Sequence, residues 1–190
     1  ARVAARQSRM SDTGWPFPAP PQDGAADHLR PGDTLPDLPL PSTDGRERNL
    51  ARLAGRWVVF VYPWTGRPGH PNPPHWDEIP GAHGSTPEAE GFRDHHESYR
   101  RAEIGVLGLS GQTPADQQEF AARMGLPFPL LSDHAGRLRE ALRLPSFETG
   151  GVVYLKRLTL VIRNGTIAHI EYPVHPPDTH ASQLLAKLVP

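Results

Sequence analysis

The sequence predicts an α/β sandwich built on a mixed central sheet, and three observations carry that prediction. Trp57-Val58-Val59-Phe60-Val61-Tyr62 is an unbroken β-branched and aromatic run, the pattern of a central strand buried on both faces. Between Ile104 and Leu142, short apolar runs alternate with helical periodicity, as crossovers on a parallel sheet require. Near the end, Asn164-Gly165 separates two apolar runs, and Asn-Gly is the strongest short hairpin signal, so one edge of the sheet turns antiparallel.

Taken in order, residues 1–31 have little periodicity and include GWPFPAPPQ, whose prolines favour an extended path; we read them as a flexible Pro-rich tail bearing Trp15 and Phe17. A single domain is expected over residues 32–190. It begins with a hairpin around Thr43-Asp44-Gly45 and continues into the central run. Pro63 ends that run. Thr65 to Gly84 is then a loop rich in Gly, Pro and His, long enough that a functional or mobile role is expected. A helix follows from Ser85 to about Ala102, then a strand from Ile104 to Ser110 and a helix from Pro114 to Met124. A short strand at Pro129 to Ser132 and a helix from Gly136 to Leu142 complete the alternation. Strands at Leu155 to Ile162 and Ile167 to Tyr172 form the closing hairpin, and a helix from Thr179 to Leu188 ends the chain.

Composition excludes several function classes. Twenty basic against 21 acidic residues give a net charge of -1, so there is no bulk attraction for nucleic acid or an anionic membrane. No run approaches the ~20 apolar residues of a membrane span, and nothing at the start has the apolar core of a signal peptide, so a cytoplasmic protein is expected. There are no cysteines, which removes disulfides, thiolate metal sites and a cysteine nucleophile. The ten histidines form no recognised ligand set, so neither a metal nor another cofactor is expected.

Ser85-Thr86-Pro87-Glu88 has the form of a capping box, with Ser85 as the N-cap and Glu88 returning a bond to it. On that reading Ser85→Ala costs about 1 kcal/mol and nothing else. The same geometry also offers free N–H donors and a positive field to an anion or a nucleophile. A reactive serine there would need a base, for which His83, His95 and His96 are the candidates. His96 shares a helix face with Phe92 and Tyr99, so packing is its alternative role. Trp64 and Trp76 in and beside the long loop suit the walls of a pocket for an organic molecule, or the anchoring of the loop.

VVFVYP at 58–63, GSTPEAEGFRD at 84–94, Leu109-Ser110, FPLLSD at 128–133 and RLTLVI at 157–162 occur in this order and spacing over roughly residues 32–188. Together they resemble peroxiredoxins of the bacterioferritin-comigratory type. The resemblance implies a thioredoxin-like fold in which a peroxidatic cysteine begins the helix after the first central strand, attacks a hydroperoxide and is restored by a thiol reductant. Carried over by position, that cysteine falls on Ser85, flanked by Gly84 and Thr86, and the resolving position of many relatives falls on Glu90. The arginine that holds thiolate and peroxide falls on Arg157, and the usual Thr or Ser three residues before the cysteine falls on Ala82. With Ser85 the chain should not turn over peroxide.

Three alternatives follow. In the first, Ser85 stands in place of the cysteine of a thiol peroxidase. Alternatively, a cysteine-free protein uses the pocket of Ser85, Arg157, Gly84, Thr86, Trp64, Trp76 and a histidine (His83 or His96) for acid–base catalysis on a small organic substrate. The third is a protein that only binds such a molecule or dimerises. Relatives of this kind also imply a homodimer.

Overall fold

The computed structural model describes residues 14–190. The first 13 residues of the expected tail lie outside the described residues. A small hairpin of β1 (Pro39–Pro41) and β2 (Glu47–Asn49) precedes the central strand β3 (Arg56–Val61). After the long loop come α1 (Ser85–Asp94), α2 (His96–Arg101), β4 (Ile104–Ser110), α3 (Pro114–Met124), β5 (Leu130–Ser132) and α4 (Arg137–Leu142). The chain closes with β6 (Ser146–Thr149), β7 (Val152–Leu155), β8 (Leu158–Arg163), β9 (Thr166–Glu171) and α5 (His180–Leu188).

The main sheet has five strands in the order β5-β4-β3-β8-β9. β3, β4 and β5 run parallel, while β8 and β9 are antiparallel to their neighbours, which is the mixed α/β architecture expected. The unbroken apolar run has a direct cause, because successive side chains of a strand point to opposite faces and both faces are covered. Val59 and Val61 enter one core layer with Leu107, Leu109, Leu160 and Ile162. Val58, Phe60 and Tyr62 enter the other with Phe92, Tyr99 and Phe120, where Phe60 stacks on Phe92 with ring centroids 4.5 Å apart.

Four expectations are corrected. The segment read as a flexible tail is, from residue 14 on, laid against the domain: Ala26 and Leu29 are buried in the core, and the Gly32 N–H donates to the Ile167 carbonyl at 2.8 Å. The helix expected from Ser85 to Ala102 is broken at His95, whose φ of -100° and ψ of 4° are not helical. The His95 backbone N–H and its ring Nδ1 both face the Gly91 carbonyl, at 3.1 and 2.9 Å, so the side chain competes for the helix's own acceptor. The strand expected at Leu155 to Ile162 is two elements. Leu155 ends β7, and β8 begins at Leu158 after Lys156 and Arg157. β6 and β7 form a hairpin absent from the sequence reading, turning through Gly150 and Gly151 at φ 58° and 77°.

Candidate active site

The site sits where β3 ends. Val61 pairs with Leu158 across the antiparallel β3–β8 ladder, so Arg157, one residue before β8, lies beside the chain that leaves β3. That chain returns through the long loop to start α1 at Ser85. The loop is pinned rather than free. Thr65 donates from its backbone and hydroxyl to Gln112 Oε1 at 3.2 and 3.1 Å, and Thr149 Oγ1 donates to the Pro74 carbonyl at 2.7 Å. Trp76 is buried among Trp64, Phe147 and Tyr154, so the β6–β7 hairpin holds the middle of the loop.

The capping box is not formed. Gly84 is the N-cap, at φ 115° in the left-handed region, and no side chain caps the helix. Ser85 is instead the first helical residue, and its hydroxyl faces Arg157, whose Nη2 donates to Ser85 Oγ at 3.1 Å. The same nitrogen faces the carbonyls of Ala82 and His83 at 3.3 and 3.2 Å. The other arm of the guanidinium, Nη1, donates to Glu88 Oε1 at 3.0 Å. Ser85 and Arg157 are each 4 % exposed and Glu88 is fully enclosed. Burial pushes the Glu88 carboxyl up to about 7, with the Arg157 guanidinium pulling the other way. Glu88 therefore serves as the counter-ion of Arg157, one turn along α1, and not as a cap.

Above Ser85 is a cavity of about 270 Å³. Its floor is Ala82, Gly84, Ser85, Thr86 and Pro87, and its walls are Trp15, Phe17, Trp64, Gly66, Asn72, Trp76 and His83. The first N–H groups of a helix have no acceptor in a preceding turn, so Ser85 and Thr86 present donors at this floor, where the field of α1 is positive. Of the residues singled out in the sequence, Ser85, Gly84, Thr86, Trp64, Trp76 and His83 share this cavity, and Arg157 touches it through Ser85. His83 is steadied by Asp77, whose Oδ1 lies 2.6 Å from Nε2. His96 is not there. It packs near Phe128, with ring centroids 5.9 Å apart, in the same core layer as Phe92 and Tyr99, which is its alternative packing role, and burial lowers its pKa. No histidine hydrogen-bonds to Ser85 Oγ among the described residues, so the serine lacks the base that a serine nucleophile needs.

The sequence reading missed three participants. Glu88 was hidden by its fit to a cap, although three residues past Ser85 it shares the inward helix face. Trp15 and Phe17 were placed in a tail, and their signal is the presence of two large aromatics in an otherwise Pro-rich stretch. Among the described residues no group of three His, Asp or Glu side chains could hold a metal ion.

Comparison with known proteins places this fold in a family. The redoxin family matches residues 30–188. Peroxiredoxin Q of Oryza sativa subsp. japonica, chloroplastic, is 29% identical over 192 residues, covering 96% of this chain and 81% of its own. The crystal structure of peroxidoxin BcpB from Mycobacterium tuberculosis superposes with a TM-score of 0.68 at 28% identity, over 85% of this chain and 97% of that one. A cysteine-to-serine mutant of Xylella fastidiosa PrxQ gives 0.68 at 25% identity, covering 85% and 96%. A thioredoxin-like α/β sheet is shared with these proteins, and the chain belongs to the redoxin family as a peroxiredoxin of the bacterioferritin-comigratory (peroxiredoxin Q) type, with serine at the peroxidatic position.

Proposed function

We propose that the cavity at the start of α1 binds a hydroperoxide for thiol-dependent reduction, with the side chain of residue 85 as the seat of the reacting atom. The observation that carries this reading is the 3.1 Å bond from Arg157 to Ser85 Oγ. One arm of the guanidinium reaches residue 85 at the first turn of α1, and a cation beside the positive end of a helix favours a thiolate there and an oxyanion next to it. With sulfur at that spot, the thiolate attacks one peroxide oxygen, an S–O bond forms and the O–O bond breaks. The sulfur is oxidised to a sulfenic acid, and the hydroperoxide is reduced to an alkoxide that takes a proton and leaves as the alcohol. An external thiol then reduces the sulfenic acid, since no second cysteine exists in the chain. A related structure, the bacterioferritin comigratory protein of Xanthomonas campestris, is described by its alkyl peroxide reduction activity, which supports the substrate class.

With Ser85 the same cavity binds but does not turn over. A serine hydroxyl is scarcely ionised near neutral pH, and oxygen has no stable counterpart of the sulfenic step. The test compares peroxide consumption, with dithiothreitol as reductant, by this chain and by Ser85→Cys. Consumption by the cysteine form alone, well above that of the free thiol, is the expected result. A Ser85→Cys protein that folds and leaves peroxide untouched would overturn the reading.

A further inference from the structure

The cavity has a part that the family match does not reach. The redoxin match begins at residue 30, yet Trp15 and Phe17 form part of the cavity wall. Phe17 lies flat on His83, with ring centroids 3.6 Å apart and planes within 10°, and His83 is itself held by Asp77. Trp15 comes close to Gly84, where a Cβ would stand 2.9 Å from its ring. The segment is fastened at two further points. The Gly81 N–H donates to the Pro18 carbonyl at 3.1 Å, with Pro20 packed beside Gly81. Asp23 accepts from Lys156 Nζ and Tyr172 Oη, each at 2.8 Å, and these bonds hold its carboxyl down to about 2. Lys156 adjoins Arg157, so the segment is tied down next to the residue that faces Ser85.

We propose that residues Trp15 to Pro20 form an aromatic roof over the site that makes it select organic hydroperoxides carrying an apolar, preferably aromatic, group over hydrogen peroxide. The inference rests on the hydroperoxide reading given above and adds the substrate's non-reacting half. Size argues for it. A water molecule's share of volume is ~30 Å³, so a cavity of about 270 Å³ is several times larger than hydrogen peroxide needs. Chemistry argues the same way. The charged and hydroxyl groups converge at the floor around Ser85 and Arg157, with Asn72 and His83 at the side, while the rings of Trp15, Phe17, Trp64 and Trp76 supply aromatic faces against which an apolar group can pack.

The chain with Ser85 serves for the first arm of the test, because it cannot consume the probe. Trp15, Trp64 and Trp76 line the cavity, so tryptophan fluorescence reads occupancy by cumene hydroperoxide and by tert-butyl hydroperoxide. Phe17→Ala is expected to weaken cumene hydroperoxide about three- to tenfold, the range one aromatic contact is worth, with a smaller change for tert-butyl hydroperoxide. Asp23→Asn, which touches no part of the cavity wall, should act in the same direction by releasing the strap. In a Ser85→Cys background, both changes should lower the ratio of kcat/KM for cumene hydroperoxide to that for hydrogen peroxide. Equal losses for all the peroxides, or no loss in either variant, would overturn the roof. A Ser85→Cys protein without peroxidase activity would instead sink the reaction assigned above, and the fluorescence titration would still decide the roof.

Discussion

Arg157 does two jobs with the two arms of one guanidinium, and a single-headed cation cannot repeat them. Nη1 neutralises Glu88 inside the protein and Nη2 reaches Ser85 Oγ. Removing the arginine leaves a carboxyl with no partner at a fully enclosed position, and breaking a buried pair from one side costs about 3–5 kcal/mol. Arg157→Leu should therefore lower the urea midpoint strongly at pH 7, and adding Glu88→Gln should recover a large part of that loss, which a double-mutant cycle would read as coupling. The pair was only half legible in the sequence. Arg157 stood out through its resemblance, whereas Glu88 looked like a cap because the same four residues satisfy a local rule. Burial decided between the two, and burial is a property of the fold rather than of a four-residue window.

At the scale of elements, the alternation of helix and strand was legible because β3, β4 and β8 each have long apolar runs bounded by turn residues. Two features escaped. The periodicity of Phe92 and Tyr99 continues across His95, so the apolar pattern does not register a break made by a backbone acceptor. The β6–β7 hairpin went unassigned apart from its last residue, Leu155, which the expected strand took in, because Lys156 and Arg157 alone separate its apolar end from β8. The start of α1 gives the prediction proper to this scale. Gly84 adopts a left-handed φ of 115°, and a Cβ there would collide with Pro177 and approach Trp15. Gly84→Ala should cost about 2–4 kcal/mol from backbone strain and overpacking together, seen as a lower Tm. The same variant should change the emission of Trp15, since the added methyl group would press on that ring as well as on Pro177.

For the molecule as a whole, acid stability should depend in part on a group remote from the cavity floor. His180 is buried, accepts or shares a hydrogen bond with Thr159 Oγ1 at 2.8 Å, and meets Phe92 edge-on. Burial lowers its pKa from 6.5 to about 4, with Glu171 opposing and the charges of Arg157 and Lys187 assisting. The folded state thus prefers neutral histidine. Its contribution is fully present above pH 6.5 and is lost as the pH falls through about 4, an effect of about 3 kcal/mol. Glu88 works in the opposite sense: raised from 4.5 to about 7, it contributes most below 4.5 and loses that contribution as the pH rises. Urea midpoints measured from pH 7 to pH 4 should therefore fall less steeply in His180→Gln than in the parent chain, and more steeply in Glu88→Gln. An unchanged slope in His180→Gln would show that this histidine titrates normally in the folded state.

The antiparallel pairing that sets Val61 opposite Leu158 has a consequence for how this chain can vary in length. Arg157 owes its position to being one residue upstream of a ladder whose alternation has a period of two. A single-residue insertion between Arg157 and Leu158 would keep every side chain of the site in the sequence and still aim the guanidinium elsewhere. The loop between Thr65 and Gly84 obeys no such parity, because it need only deliver its last residues to the start of a helix. The two segments that meet at Ser85 are therefore under unlike constraints: one is fixed in length and the other in where it ends.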